Sequence, residues 1–229
     1  MTLLEPKLNE LKERLFVMAG IAEGMVADSI SSLVNRDPAL ARKVIEVDED
    51  RVNHLEIEID DAAINLIALY QPEASNLRTI AMVIKINNDL ERLGDHAVNI
   101  AEAADFLNER APVKRLIDLP RMSELAVSML KDALDAFTRG DPDLAYRVCG
   151  RDSIVDSLKD QIARELVTHM TSDATTIDRS LKLMMVALNL ERIADHATNI
   201  AEDVIYIVRG EVIKHGRGAP RTADGCPPD

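Results

Sequence analysis

Two thirteen-residue segments, one hundred positions apart, carry most of the side chains in this chain whose type and spacing point to chemistry. Leu90-Glu91-Arg92-Leu93-Gly94-Asp95-His96-Ala97-Val98-Asn99-Ile100-Ala101-Glu102 recurs as Leu190 to Glu202, differing only at positions 93/193, 94/194 and 98/198. Each copy places a Glu and an Asp four residues apart, Glu91 with Asp95 and Glu191 with Asp195. On a helix advancing about 100° per residue, with Glu91 as zero, Asp95 falls at about 40°, Glu102 at about 20° and Asn99 at about 80°. Leu90, Leu93, Ala97, Ile100 and Ala104 gather on the opposite face, centred at roughly 220°. A second pair stands on a preceding segment of each half, Asp152 with Asp156 and, as its counterpart, Glu49 with Asn53. Carboxylates from adjacent helices at one level converge on a cation, and an oxygen-only set suits hard cations or carboxylate-bridged iron.

The competing reading is a solvated helix face. Like charges four apart disfavour a helix by a few tenths of a kcal/mol, and a face that needs only polarity is free to exchange Asp, Glu, Lys, Gln and Ser. The halves have diverged elsewhere, yet Glu91, Asp95, Asn99 and Glu102 keep identity and spacing in the second copy. That persistence favours the cation reading without closing the other. His96 and His196 sit on the flank of the stripe, where packing or hydrogen bonding is the commoner role and ligation a second one. Arg92 and Arg192 either orient neighbouring carboxylates or solvate the helix. Met184 and Met185 read as core filler.

Other chemistry has little support. There is no glycine-rich phosphate cradle, HExxH or CxxC, and no Ser/His/Asp trio stands out. A metal-dependent hydrolase using the clustered carboxylates is the enzymatic alternative, and a plain helical scaffold is the bland one. The formal net charge of −13, with no basic run in view, argues against a nucleic-acid partner. Cys149 falls in a helical pattern and Cys226 near the end, so no disulfide framework is implied. Residues 1–14 lack an apolar signal core, and no uninterrupted run of eighteen apolar residues occurs, so the expectation is a cytoplasmic chain without a membrane span.

Helices must position these side chains. Apolar residues make up 47% of the chain and aromatics only 3%, a composition suited to helix-on-helix packing. The 3.6-residue periodicity predicts six helices over 4–34, 38–70, 73–109, 120–139, 142–171 and 174–209. Asp37-Pro38 and Asp141-Pro142 each set an N-cap acceptor before a proline at the first helical position. Gln71-Pro72 ends the second helix. Pro112 and Pro120 bracket the boundary between halves. The expected fold is all-α, with two tandem three-helix bundles over 1–111 and 112–210 related by internal pseudosymmetry, and a disordered tail over 211–229.

At these residues the chain resembles the PhoU family of phosphate-uptake regulators. The likeness spans residues 1–210. It rests on the duplicated LERxxDHAxNIAE segments, on Gln71-Pro72-Glu73-Ala74-Ser75-Asn76-Leu77-Arg78, similar to the family's QPxAxDLR turn, and on Val52-Asn53 and Val155-Asp156. The resemblance implies two three-helix bundles, no catalytic activity, and repression of phosphate-starvation signalling. It implies partners in the phosphate transporter's ATPase and a membrane sensor histidine kinase, and leaves room for a homodimer. It also implies divalent or iron cations on E/DxxxD motifs, as multinuclear iron or zinc in some members and as weakly held divalent ions such as Mg or Mn in others. Carried over by position, the ligand places are Glu91 and Asp95, Glu191 and Asp195, and Asp152 and Asp156. Glu49 and Asn53 fill the fourth place, where Asn replaces a carboxylate. On that count the first bundle's site is the poorer in charge and the weaker.

Overall fold

The computed structural model describes residues 4–210, and the expectation of a disordered tail falls outside them. Every regular element among the described residues is helical. Helix α1, Leu4–Asn35, packs along α3, Glu49–Tyr70, and α4, Ala74–Asn108. A linker leads to α5, Asp118–Arg139, which packs along α7, Asp152–Ser172, and α8, Ile177–Arg209. The two three-helix units meet chiefly where α4 lies on α8, with α1 on α5 beside it. The apolar face read from the motif is the core face: Leu90, Leu93, Ala97 and Ile100, and Leu190, Ile193, Ala197 and Ile200, are all fully buried.

The proline-led starts behave as their chemistry requires. Short α2, Pro38–Lys43, and α6, Pro142–Cys149, open the second helix of each repeat. Asp37 accepts the Ala39 N–H at 2.9 Å, and Asp141 accepts those of Asp143 and Leu144 at 3.0 Å. Such caps stabilise a helix by about 1 kcal/mol.

Neither second helix is the continuous element that periodicity predicts. In the first repeat a π turn, Val44–Asp48, lies between α2 and α3; in the second, a turn at Gly150-Arg151 separates α6 from α7. For the π turn of the first repeat the cause is a count. Asp37 and Glu49 are twelve residues apart, Asp141 and Asp152 eleven, and a π turn absorbs one extra residue without rotating the helix beyond it. Asp48, buried inside this turn, is held by Lys43 at 3.0 Å and Arg51 at 3.2 Å. In both repeats the interruption falls immediately before the first carboxylate of the predicted site.

The turn ahead of each proline needs a left-handed residue. Gly140 supplies it in the second repeat at φ +60°, whereas the first uses Arg36 at φ +57°. A side chain there strains the backbone by about 1–3 kcal/mol. Its guanidinium offsets that by donating to the carbonyls of Asn108 at 2.5 Å and Arg110 at 2.6 Å, which ties the end of α1 to the end of α4.

Helix α1 is, among the described residues, long and apolar enough to cross a membrane by length and composition, with half of its apolar window buried. Leu11, Leu15, Met18, Ala22 and Met25 account for its hydropathy as core residues. Met184 packs against the core as expected. Met185 does not: it is exposed on α8.

Candidate functional site

The duplicated segments face one another. His96 Nδ1 lies 3.0 Å from Asn189 Oδ1, and His196 Nδ1 lies 2.8 Å from Asp89 Oδ1, so α4 and α8 run antiparallel about a pseudo-two-fold axis between the histidines. The ring centroids are 5.5 Å apart. Asn189 Nδ2 donates to Met185 O at 2.8 Å, which fixes its amide and makes Oδ1 the acceptor. His96 Nδ1 therefore carries a proton, as does His196 Nδ1 against a carboxylate, and in the neutral rings Nε2 keeps its lone pair. Burial holds the His96 pKa below its ordinary value, with His196 and Arg192 acting the same way. Hydrogen bonding across the repeats thus explains why both copies keep the histidine.

Around this axis lies a cavity of about 490 Å³. Glu91, Asp95, Asp195, Arg92, Arg192 and both histidines line it, with Asn88 and Asn199. Neither arginine makes an ion pair or hydrogen bond to another described residue. They act at longer range, Arg92 partly opposing the rise of the Glu91 pKa.

The predicted carboxylates come together unequally. Burial raises Asp195 to about 6, and the charges of Glu191, Asp152 and Asp156 push it in the same direction, so all four members of the second set lie within electrostatic reach of Asp195. Asp152 is raised by burial and then by Asp156, while Thr198 Oγ1 donates to it at 3.4 Å. In the first set Asp95 raises both Glu49 and Glu91, in each case second to burial. Asn53 is exposed. Among the described residues, no three His, Cys, Asp or Glu side chains stand close enough to hold a metal ion. The donor sets suit a hard cation in kind, but their side chains would have to swing inward to bind one.

Two neighbours that spacing did not reveal alter the balance. Lys159 donates to Glu191 at 3.0 Å and to Asp156 at 3.1 Å, so an ammonium already sits among the second set. Those bonds raise its own pKa strongly. The equivalent residue of the first repeat is Glu56, which adds a further charge beside Glu91. Among the described residues, the first set, read as the poorer, has the carboxylates of Glu49, Glu91 and Asp95 with Glu56 beside Glu91, and none of them is ion-paired to a lysine. The second has four carboxylates and a lysine.

Sequence reasoning also missed Asp89 and Asn189, the histidines' partners. The available signal was their equivalence: each stands two residues before its Glu and each offers a short side-chain oxygen. Two of the three divergent motif positions acquire reasons. Thr198, in place of Val98, bonds Asp152. Gly94 lies where an added Cβ would meet Val52 Cγ1 at 3.4 Å and Met25 Cε at 3.7 Å, ordinary contact that agrees with alanine at 194.

The PhoU domain family matches this chain twice, over residues 15–104 and 119–204, once for each repeat. The chain belongs to the PhoU family. A phosphate-specific transport system accessory protein PhoU homolog from Caulobacter vibrioides is 43% identical over 212 residues, covering 92% of both chains. One from Pseudomonas putida is 40% identical over 210 residues, covering 91% of this chain and 82% of the relative. The crystal structure of PhoU from Pseudomonas aeruginosa superposes with a TM-score of 0.86 at 39% identity, covering 90% of this chain and 99% of that one. The phosphate transport system regulatory protein PhoU from Streptococcus pneumoniae does so with a TM-score of 0.83 at 26% identity, covering 91% and 98%. The tandem three-helix architecture is thus that of solved PhoU structures.

Proposed function

We propose that this chain is a cytoplasmic, non-catalytic negative regulator of phosphate uptake and phosphate-starvation signalling. It acts on the ATPase of a phosphate transporter and on a membrane sensor histidine kinase, and its carboxylate sets respond to divalent or iron cations. The observation that carries this reading is the match of both repeats to one family, whose relatives bear the name of a phosphate-transport accessory protein over nine-tenths of the chain. The central cavity supports it, since among the described residues its lining holds no Ser, Thr, Cys or Lys and so offers no nucleophile of those kinds. The described cysteine, Cys149, is remote from reaction as well: burial raises its thiol to about 11.

When bound, a cation would draw together the carboxylates of Glu49, Glu91 and Asp95, with Glu56 beside Glu91, or those of Asp152, Asp156, Glu191 and Asp195, and cancel their repulsion. In the second set Lys159 would have to withdraw first. The chain's own residues hold the antiparallel helix pair in register through the two histidine bonds, so a change at either set is felt across the axis.

Deleting the gene tests the reading. Phosphate-starvation genes should then be expressed in phosphate-rich medium, and the wild-type gene should restore repression. Unchanged expression in the deletion strain would refute it. One observation favours a second reading, a metal-dependent hydrolase: Asp195, near 6, titrates in the range of a general acid. Phosphoester turnover by the purified protein, abolished in Asp195→Asn, would establish that instead, and none is expected.

A further inference from the structure

We propose that the cleft beneath the linker between the repeats binds an amphipathic anion, a ligand with an apolar body and a carboxylate or phosphate head. The cleft holds about 600 Å³, within the range of roughly 300–1,000 Å³ typical of small-molecule sites. Leu33, Val34 and Leu107 from the first repeat, Val113 and Leu116 from the linker, and Leu183 from α8 form its apolar wall. The sequence shows no basic run, yet folding brings Arg36, Lys114 and Arg115 to this cleft and, among the described residues, no acidic one lines it, on a chain whose net charge is −13.

The three cations are not equivalent. Lys114 is answered by Glu165. Among the described residues Arg36 donates only to main-chain carbonyls, which leave its positive charge uncancelled. Arg115 is exposed and makes no ion pair or hydrogen bond among the described residues. A role confined to capping helix ends accounts for Arg36 but not for Arg115, which lies in the linker. Asn108 also lines the cleft: it donates through Nδ2 to Ser32 O at 3.2 Å, while its Oδ1 is buried without a partner among the described residues. The residue that anchors the cleft's floor is Arg36, strained at a position where the second repeat has glycine, so this feature belongs to the first repeat alone. Because the wall joins both repeats and the linker, an occupant bridges all three. This site is independent of the carboxylate sets and of any cation they hold.

The test uses the full chain titrated calorimetrically with decanoate, decyl phosphate and decylamine. The expected result is binding of at least one of the two anions, at least tenfold tighter than decylamine, with methyl NMR shifts at Leu183 and Val113. Decanoate against decyl phosphate identifies the preferred head. Arg115→Glu and Val34→Phe change exposed positions and should preserve the circular dichroism spectrum, while each weakens anion binding tenfold or more. The proposal is overturned if decylamine binds as tightly as the anions, if neither anion binds, if both variants bind like the wild type, or if the shifts fall elsewhere. Derepression in the deletion strain, or its absence, bears on the regulatory reading and not on this site.

Discussion

Burial does most to raise the Asp195 carboxyl to about 6, and Glu191, Asp152 and Asp156 add to it. The ordinary value for this group is 3.8, so the folded chain binds this proton more tightly than the unfolded chain does. The stability it contributes is full below about 4 and is lost as pH rises through about 6. Glu49, Glu91 and Asp152 are shifted in the same direction. His96 works against them, because its lowered pKa favours the native state as pH rises through the histidine range. Comparing variants separates the two. In chelator-treated protein, urea midpoints followed from pH 4.5 to about 7 should fall less steeply for Asp195→Asn than for the wild type. Parallel profiles would mean that Asp195 titrates like a solvated side chain.

Elements differ in how far they could be read from the chain. The six periodic segments, the Asp-Pro starts and the duplication were legible because each is a local pattern with a local cause. The π turn was legible only as a difference of one residue between two spacings, and periodicity passes over it because the faces on either side stay in register. A deletion experiment tests whether the turn stores one residue. Removing Val47, half-exposed inside the π turn, should convert it to ordinary helix and leave the unfolding midpoint near that of the wild type. Removing Glu58 from the regular part of α3 should rotate the residues beyond it by about 100°. Ile59 and Leu66 would leave the core at about 1.5–3 kcal/mol each. Equal losses in the two deletions, measured by urea unfolding, would show that the turn is not a stored insertion. The candidate site was less legible than the helices. Glu91, Asp95, Glu191 and Asp195 followed from repetition, but the histidine partners depend on two helices meeting antiparallel. Lys159, three residues after Asp156, reads as an ordinary surface pair until α8 is laid beside it. Arg36 gave no sign at all, since its partners lie more than seventy residues away.

At the scale of the molecule, the two repeats set similar carboxylate frames with different contents, and the proposed cation would meet them differently. Clustered carboxylates repel one another, and an ion bound to the native state alone stabilises it by RT ln(1 + [L]/Kd), about 2.7 kcal/mol at a hundredfold excess over Kd. Counting motif positions alone ranks the second repeat first, because Asn53 replaces a carboxylate. Counting neighbours reverses this: Lys159 already neutralises part of the second set, whereas Glu56 adds charge to the first. An incoming ion must displace an ammonium in one repeat and none in the other. Adding Mn²⁺ or Mg²⁺ to chelator-treated protein should therefore raise the melting temperature, and Asp95→Asn should reduce that rise more than Asp195→Asn does. Lys159→Met provides the control, because it removes the competing charge and leaves the carboxylates in place. Its melting temperature without metal should drop, its response to metal should exceed that of the wild type, and Asp195→Asn in that background should take the excess away. If Asp95→Asn, Asp195→Asn and Lys159→Met all respond as the wild type does, neither set holds a cation. The duplicated stripes would then remain as acidic surface for a basic partner, and the regulatory reading would stand without the metal.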